Sequence, residues 1–166
     1  MEKIYEANPI SFYNRFLKRL FLYLAISLFL CYVIFNIQNL NITYKIAFSL
    51  LLIPLALFTA YKLSKHHYNK IYINNKTITF QGYHINQFME STENLKEVEI
   101  IQRVKASKNG HIAYFLVFKT KKKNYYINEY YNWDDEYVIT LFEDFKNAKQ
   151  EKITLDEKIT FKLTKY

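Results

Sequence analysis

The sequence has few of the residues that punctuate or cross-link a chain. Two glycines, Gly82 and Gly110, exclude a collagen-like repeat, a Gly-rich linker and a Gly-rich phosphate loop. A single cysteine, Cys31, excludes a disulfide framework and any multi-thiolate metal site. Charge is also missing over two long stretches: no Asp, Glu, Lys, Arg or His lies within Leu20–Tyr44 or within Ile46–Tyr61. What is present is 51% apolar and 19% aromatic over 166 residues, which excludes a disordered chain. The mean hydropathy of −0.18 resembles that of an ordinary soluble protein only because apolar and charged residues are segregated along the chain.

The first uncharged stretch has a strongly apolar part, Leu20–Ile37, of 18 residues, or roughly 27 Å of helix. The second, extended to Tyr44–Leu63, reaches 20 residues, with Lys45 and Lys62 placed to snorkel to the two interfaces. A domain this small could not cover two such helices on every side, so two transmembrane helices are expected at about 20–38 and 44–63. Asn36–Thr43, rich in amides, forms the turn of a helical hairpin. Small residues ahead of a cleavage site are missing, and a second span follows soon after, so a cleaved signal peptide is not expected. Leu28-Phe29-Leu30 precede Cys31, which therefore reads as a small apolar residue in the membrane rather than a lipidation site. Pro54 removes the partner of the Leu50 carbonyl and is read as a packing feature. Ahead of the first span, Asn8 can cap a helix with Pro9 at its first position. Residues 7–18 are then either a short interfacial helix or an extension of the span.

Lys3, Arg15, Lys18 and Arg19 precede the first span, and Lys62, Lys65 and Lys70 follow the second. The positive-inside rule then puts both termini in the cytoplasm. Residues 1–67 hold 7 basic and 2 acidic residues and residues 68–166 hold 16 and 13, so most of the net +8 is this topological signal. That removes the main argument for nucleic acid as a partner.

From residue 68 the apolar spacing switches to period two. Ile71 and Ile73, then Ile78 and Phe80, flank Asn74-Asn75 as a hairpin. Gly82 marks a bend before a strand at Tyr83–Phe88. Leu95–Arg103 is a further strand, and Asn109-Gly110 is the strongest hairpin signal in the chain. Pairing residue 108 with 111 across it sets Arg103 near Leu116. His111–Lys119 is apolar on both faces and reads as central in its sheet. Lys121–Lys123 turn the chain into Asn124–Asn128. The period then becomes helical: Trp133, Tyr137, Leu141, Phe145 and Ala148 share a face over about 132–149, with Asn132 as N-cap, acidic residues in the first turn and Lys146 and Lys149 in the last. Ile153–Leu163 alternates again and reads as an edge strand.

The expected fold is a membrane α-helical hairpin in residues 1–67 followed by an α+β domain in 68–166, an antiparallel sheet or barrel capped by one C-terminal helix. Such a domain resembles the pleckstrin-homology-like (PH-like) class. Through Lys70–Gly82, Leu95–Val104 and Tyr131-Asn132-Trp133-Asp134 the chain from Arg15 to about Lys149 resembles the YcxB-like group of small bacterial membrane proteins. The resemblance implies a bacterial inner-membrane protein with a PH-like cytoplasmic module, and it carries over no catalytic residues.

The residues offer little chemistry of their own. His66 and His67 adjoin the second span, and His84 and His111 lie at strand ends without a Cys or His at ligand spacing, so no metal or cofactor is expected. Asp134, Asp135, Glu136, Glu143 and Asp144 are explained by helix polarity and solvation, and an enzyme is not expected. Two basic clusters remain, Arg103, Lys105 and Lys108, and Lys119, Lys121, Lys122 and Lys123. They are either solvated turns or a surface for anionic lipid headgroups or an acidic partner. The expected function is a membrane-anchored, non-enzymatic binding module. Its partners are the bilayer and a protein of unknown identity, and an oligomer is open. An immunity protein against a membrane-acting toxin and an accessory subunit of a membrane complex are the alternatives.

Overall fold

A computed structural model of the chain describes residues 2–106, 112–128 and 132–161. Its elements are β1 (Lys3–Glu6), α1 (Phe12–Phe35), α2 (Ile42–Ser64), β2 (His66–Ile73), β3 (Thr77–His84), β4 (Gln87–Asn94), β5 (Glu99–Ala106), β6 (Ile112–Lys119), β7 (Asn124–Ile127), α3 (Asp135–Lys149) and α4 (Leu155–Thr160). They divide into a helical unit, residues 10–66 with 84–86, and an α+β unit made of residues 1–9, 67–83 and 87–166.

In the helical unit α1 and α2 are both long and apolar enough to cross a bilayer, and only 6% and 11% of their most apolar stretches are buried. The core helix of a soluble protein would be mostly covered; here Phe21, Leu28 and Phe29 on α1 and Leu50, Leu55 and Phe58 on α2 stand exposed. Apart from Arg15, the residues that are buried on α1 and α2 are small. Ala56, Ala60 and Ser64 recur at every fourth position of α2, and Ser27 of α1 donates to the Leu52 carbonyl at 3.5 Å. Small side chains at this spacing let two helices approach closely where no water drives them together. α1 begins at Phe12 with Ser11 as its cap, its hydroxyl accepting from Asn14 N at 3.3 Å, in place of Asn8 and Pro9. The segment before the span is thus an extension of it and not a separate helix. Asn41 caps α2 through Thr43 N at 2.9 Å, and Lys45 Nζ reaches back to the Phe35 carbonyl at 2.9 Å, closing the turn between the helices. Cys31 lines an apolar groove of about 360 Å³ together with Leu24, Ser27, Ile46 and Ser49.

The α+β unit contains two sheets, of order β1-β2-β3-β4 and β5-β6-β7. β1 was not legible as a strand. It pairs antiparallel with β2, Tyr5 opposite Ile71 and Glu6 opposite Lys70, so the first residues of the chain complete the sheet that follows the helices. Asn74 makes the β2–β3 turn by accepting from the backbone of Lys76 and Thr77 at 2.9 and 2.7 Å. Thr79 faces Thr92 at 2.9 Å and Gln81 donates to Glu90 at 2.6 Å, which fixes the β3–β4 register. The expected strand at 83–88 is instead the turn between them: β3 ends at His84 and Ile85-Asn86 reverse the chain. At Gly82 an added Cβ would stand 1.9 Å from the His67 carbonyl oxygen, so the two strands cross too closely there for any side chain.

Leu95–Glu97 form one turn of 3₁₀ helix, capped by Asn94, and the next strand therefore starts at Glu99 rather than Leu95. β6 is central, with β5 and β7 on either side, as its two apolar faces required. Arg103 pairs with Phe115, one step from the expected Leu116, and the Asn109-Gly110 turn lies outside the described residues. Trp133, Val138, Leu141, Phe142 and Phe145 from the α3 side meet Phe80, Leu116, Phe118, Tyr125 and Ile127 from the two sheets in one core. Trp133 is held there by a bond from its indole Nε1 to the Tyr68 carbonyl at 3.0 Å. The cap of α3 is Asp134, not Asn132, because Asn132 takes a left-handed φ of 59° two residues earlier. Of the strand expected over Ile153–Leu163, the described residues up to Phe161 form none. Thr154 and Glu157 form a capping box that starts α4 at Leu155, while residues 162–166 lie outside the described set. An α+β fold results, and among the described residues the two sheets do not close into a barrel.

Candidate functional site

The described basic residues singled out by sequence lie at two ends of β5 and its partner strand. Arg103 is exposed on β5 opposite Phe115, whereas Lys119 pairs with Glu99 at the other end of that strand. Four residues separate the two ends, or about 13 Å. Lys105 follows Arg103 on the same strand, and Lys108 lies outside the described residues. The Lys119–Lys123 end is a tight turn. Thr120 N bonds the Lys123 carbonyl at 3.0 Å, and the Thr120 hydroxyl accepts from Lys122 N and Lys123 N at 3.3 and 3.1 Å.

This turn is also less cationic than its sequence. Lys121 pairs with Glu97 at 3.3 Å, in a contact exposed enough to be worth little. Lys123 folds back over the rings of Tyr125 and Tyr68, 4.8 and 5.7 Å from their centroids. Burial there holds its ammonium below the usual lysine range; Glu93 opposes the shift and Lys122 adds to it. The Tyr125 hydroxyl donates to Glu93 Oε1 at 2.7 Å and lies 2.8 Å from Ser91 Oγ. Burial, with Glu93 assisting, raises this phenol well above its ordinary value. Lys122 and Lys119 are left as the freest charges of the cluster.

Two other polar centres in the α+β unit are structural. Asp144, buried on α3, receives the Tyr5 hydroxyl and Lys3 Nζ, the latter at 2.5 Å, and so fastens β1 to the helix. Tyr5 is raised far above its usual value by burial and then by Asp144. Two residues further along α3, Lys146 bridges Glu157 at 2.8 Å and Glu151 at 3.3 Å, and Lys149 meets Glu151 at 2.7 Å. Lys146 is held above its ordinary value, the two glutamates outweighing the effect of burial. These three ion pairs keep the chain after α3 against that helix.

The helical unit holds a centre that the sequence did not reveal. Arg15 is only 4% exposed. Its Nε donates to the Ser64 carbonyl at 3.1 Å, Nη1 to the Ile10 carbonyl, and Nη2 to the Ile85 carbonyl at 3.4 Å. The guanidinium thus caps the last turn of α2, where carbonyls lack intrahelical partners. Ser64 Oγ returns a bond to the Arg15 carbonyl at 3.2 Å, and Ile85 N donates to the Lys65 carbonyl at 2.6 Å. Ile85 has φ 57°, a left-handed conformation costly for a β-branched residue and held here by the bond from its N–H to Lys65 and the bond from Arg15 Nη2 to its carbonyl. This clasp sets His84 beside His66, with Nδ1 to Nδ1 at 3.3 Å and ring centroids 4.6 Å apart.

Among the described residues no group of three or more His, Cys, Asp or Glu converges on a point. No family model, curated protein or solved structure matches this chain.

Proposed function

We infer that the protein is a membrane-anchored binding module: α1 and α2 fix it in the bacterial inner membrane with both termini in the cytoplasm, and the α+β unit engages a protein partner there. The observation that carries this reading is the contrast in exposure between the units, large apolar side chains turned outward on the helices and a separate aromatic core in the sheets. Seven strands and the helix α3 among the described residues support the PH-like, YcxB-like assignment of that second unit. The turn at Lys119–Lys123, with Lys122 its freest cation, is the surface through which anionic headgroups or an acidic partner segment would be met. No catalytic chemistry is assigned. Immunity and accessory-subunit roles are versions of the same module that differ only in the partner.

The full-length chain tests this in two steps. It should stay in the membrane fraction through an alkaline carbonate wash, and release into the supernatant would overturn the anchor. Purified in mild detergent, it should retain a partner in fixed stoichiometry, and reversing Lys119 and Lys122 to Glu should weaken that association in a salt-dependent way. A chain that comes through alone from its native membrane, and binds anionic and zwitterionic nanodiscs equally, would remove the binding function.

A further inference from the structure

We propose that His66 and His84 form a two-imidazole chelate for a divalent transition-metal ion at the foot of the helix pair. In a tetrahedral site with metal–nitrogen bonds of about 2.0–2.1 Å, two ligand nitrogens stand roughly 3.3–3.4 Å apart. The Nδ1 atoms are already at 3.3 Å, so a metal can bridge them without a change of backbone. Imidazole nitrogen selects Zn²⁺, Ni²⁺ or Cu²⁺ over Mg²⁺ or Ca²⁺, which require oxygen donors.

The pair is positioned by structure on both sides. His66 opens β2 directly after Ser64 and Lys65, whose carbonyls accept from Arg15 and Ile85; His84 closes β3 directly before Ile85, whose own carbonyl accepts from Arg15. The left-handed Ile85 is thus held in the conformation that presents His84 to His66. The cost of ordering the ligands is met by folding and not by binding, which raises the affinity a two-ligand site can reach. His66 is exposed and His84 half-buried, so solvent reaches the pair. With no third side chain among the described residues, the site is a reversible chelate and not a closed structural centre. Its metal ties the end of α2 to the tip of the β3–β4 hairpin, 18 residues further along the chain.

The experiment uses the full-length chain in detergent micelles, titrated with Cu²⁺ and followed by electron paramagnetic resonance, with Zn²⁺ calorimetry in parallel. One equivalent should bind with a spectrum of two imidazole nitrogens. His66→Gln and His84→Gln should each weaken binding by at least about tenfold, while His111→Gln leaves it unchanged. Thermal melts of the metal-free variants confirm that they fold; should one fail, the same loss is read from the other. Absence of binding, or binding that survives both substitutions, overturns the proposal.

Discussion

The two units of this chain are packed in opposite senses. In the helical unit the large apolar side chains are outside, and the buried residues are Arg15 and the small Ser27, Ala56, Ala60 and Ser64. In the α+β unit Trp133, Tyr125, Phe80, Phe118, Phe142 and Phe145 are fully enclosed. Under the proposed membrane placement, the difference reflects the solvent of each part. Removal from water drives the aromatic core together. Lipid supplies no such force, and close approach over small residues has to hold the helices.

The sharpest way to break the comparison is a matched pair of truncations. Phe118→Ala should destabilise the α+β unit by about 3–5 kcal/mol in urea unfolding, through lost burial and the cavity left behind. Phe29→Ala, an equal truncation on the outside of α1, should leave stability in detergent within about 0.5 kcal/mol. Similar losses at both positions would mean that the helices are buried by protein. Next in size is Gly82→Ala, expected to cost about 2 kcal/mol or more because its Cβ meets backbone that cannot swing aside. Ala60→Leu makes the helical counterpart. Wedging the helices apart should cost about 1–2 kcal/mol and appear as reduced energy transfer between dyes placed on α1 and α2.

The smallest effect is a pH dependence confined to the α+β unit. Tyr5 and Tyr125 are both raised in the folded state, chiefly by burial. Folding therefore favours their protonated forms, a contribution fully present below the unfolded value of about 10 and lost as pH rises above it toward the folded values. Stability should fall from about pH 10 upward, and the double variant Tyr5→Phe with Tyr125→Phe should flatten that fall. An unchanged slope would mean that neither phenol is enclosed.

What could be read from the sequence follows from how local each signal is. The helical hairpin was legible because a long uncharged run has few other interpretations, and β6 because both of its faces are apolar. β1 was not, since four residues carry no pattern of their own and the strand is fastened by Asp144, about 140 positions away. The segment after α3 was misread because Ile153 and Leu155 alternate; the overlooked signal was Thr154 followed by Glu157, a local helix start. The basic clusters were legible as charge but not as a surface. The one-step shift in the β5–β6 register, and the carboxylates of Glu93, Glu97 and Glu99, depend on strand pairing. The meeting of His66 with His84 was hidden for the same reason, and so was Arg15, whose charge was read only as an orientation signal.

The central claim is that α1 and α2 cross a bilayer and leave the α+β unit on the inner side. Because Cys31 is the sole cysteine, a Cys31→Ser background permits a clean topology measurement with a membrane-impermeant maleimide on intact cells. Asn39→Cys, in the turn between the helices, should label from outside, and Lys121→Cys, in the β6–β7 turn, should label only after lysis. Labelling of Lys121→Cys in intact cells, or protection of Asn39→Cys there, would contradict it.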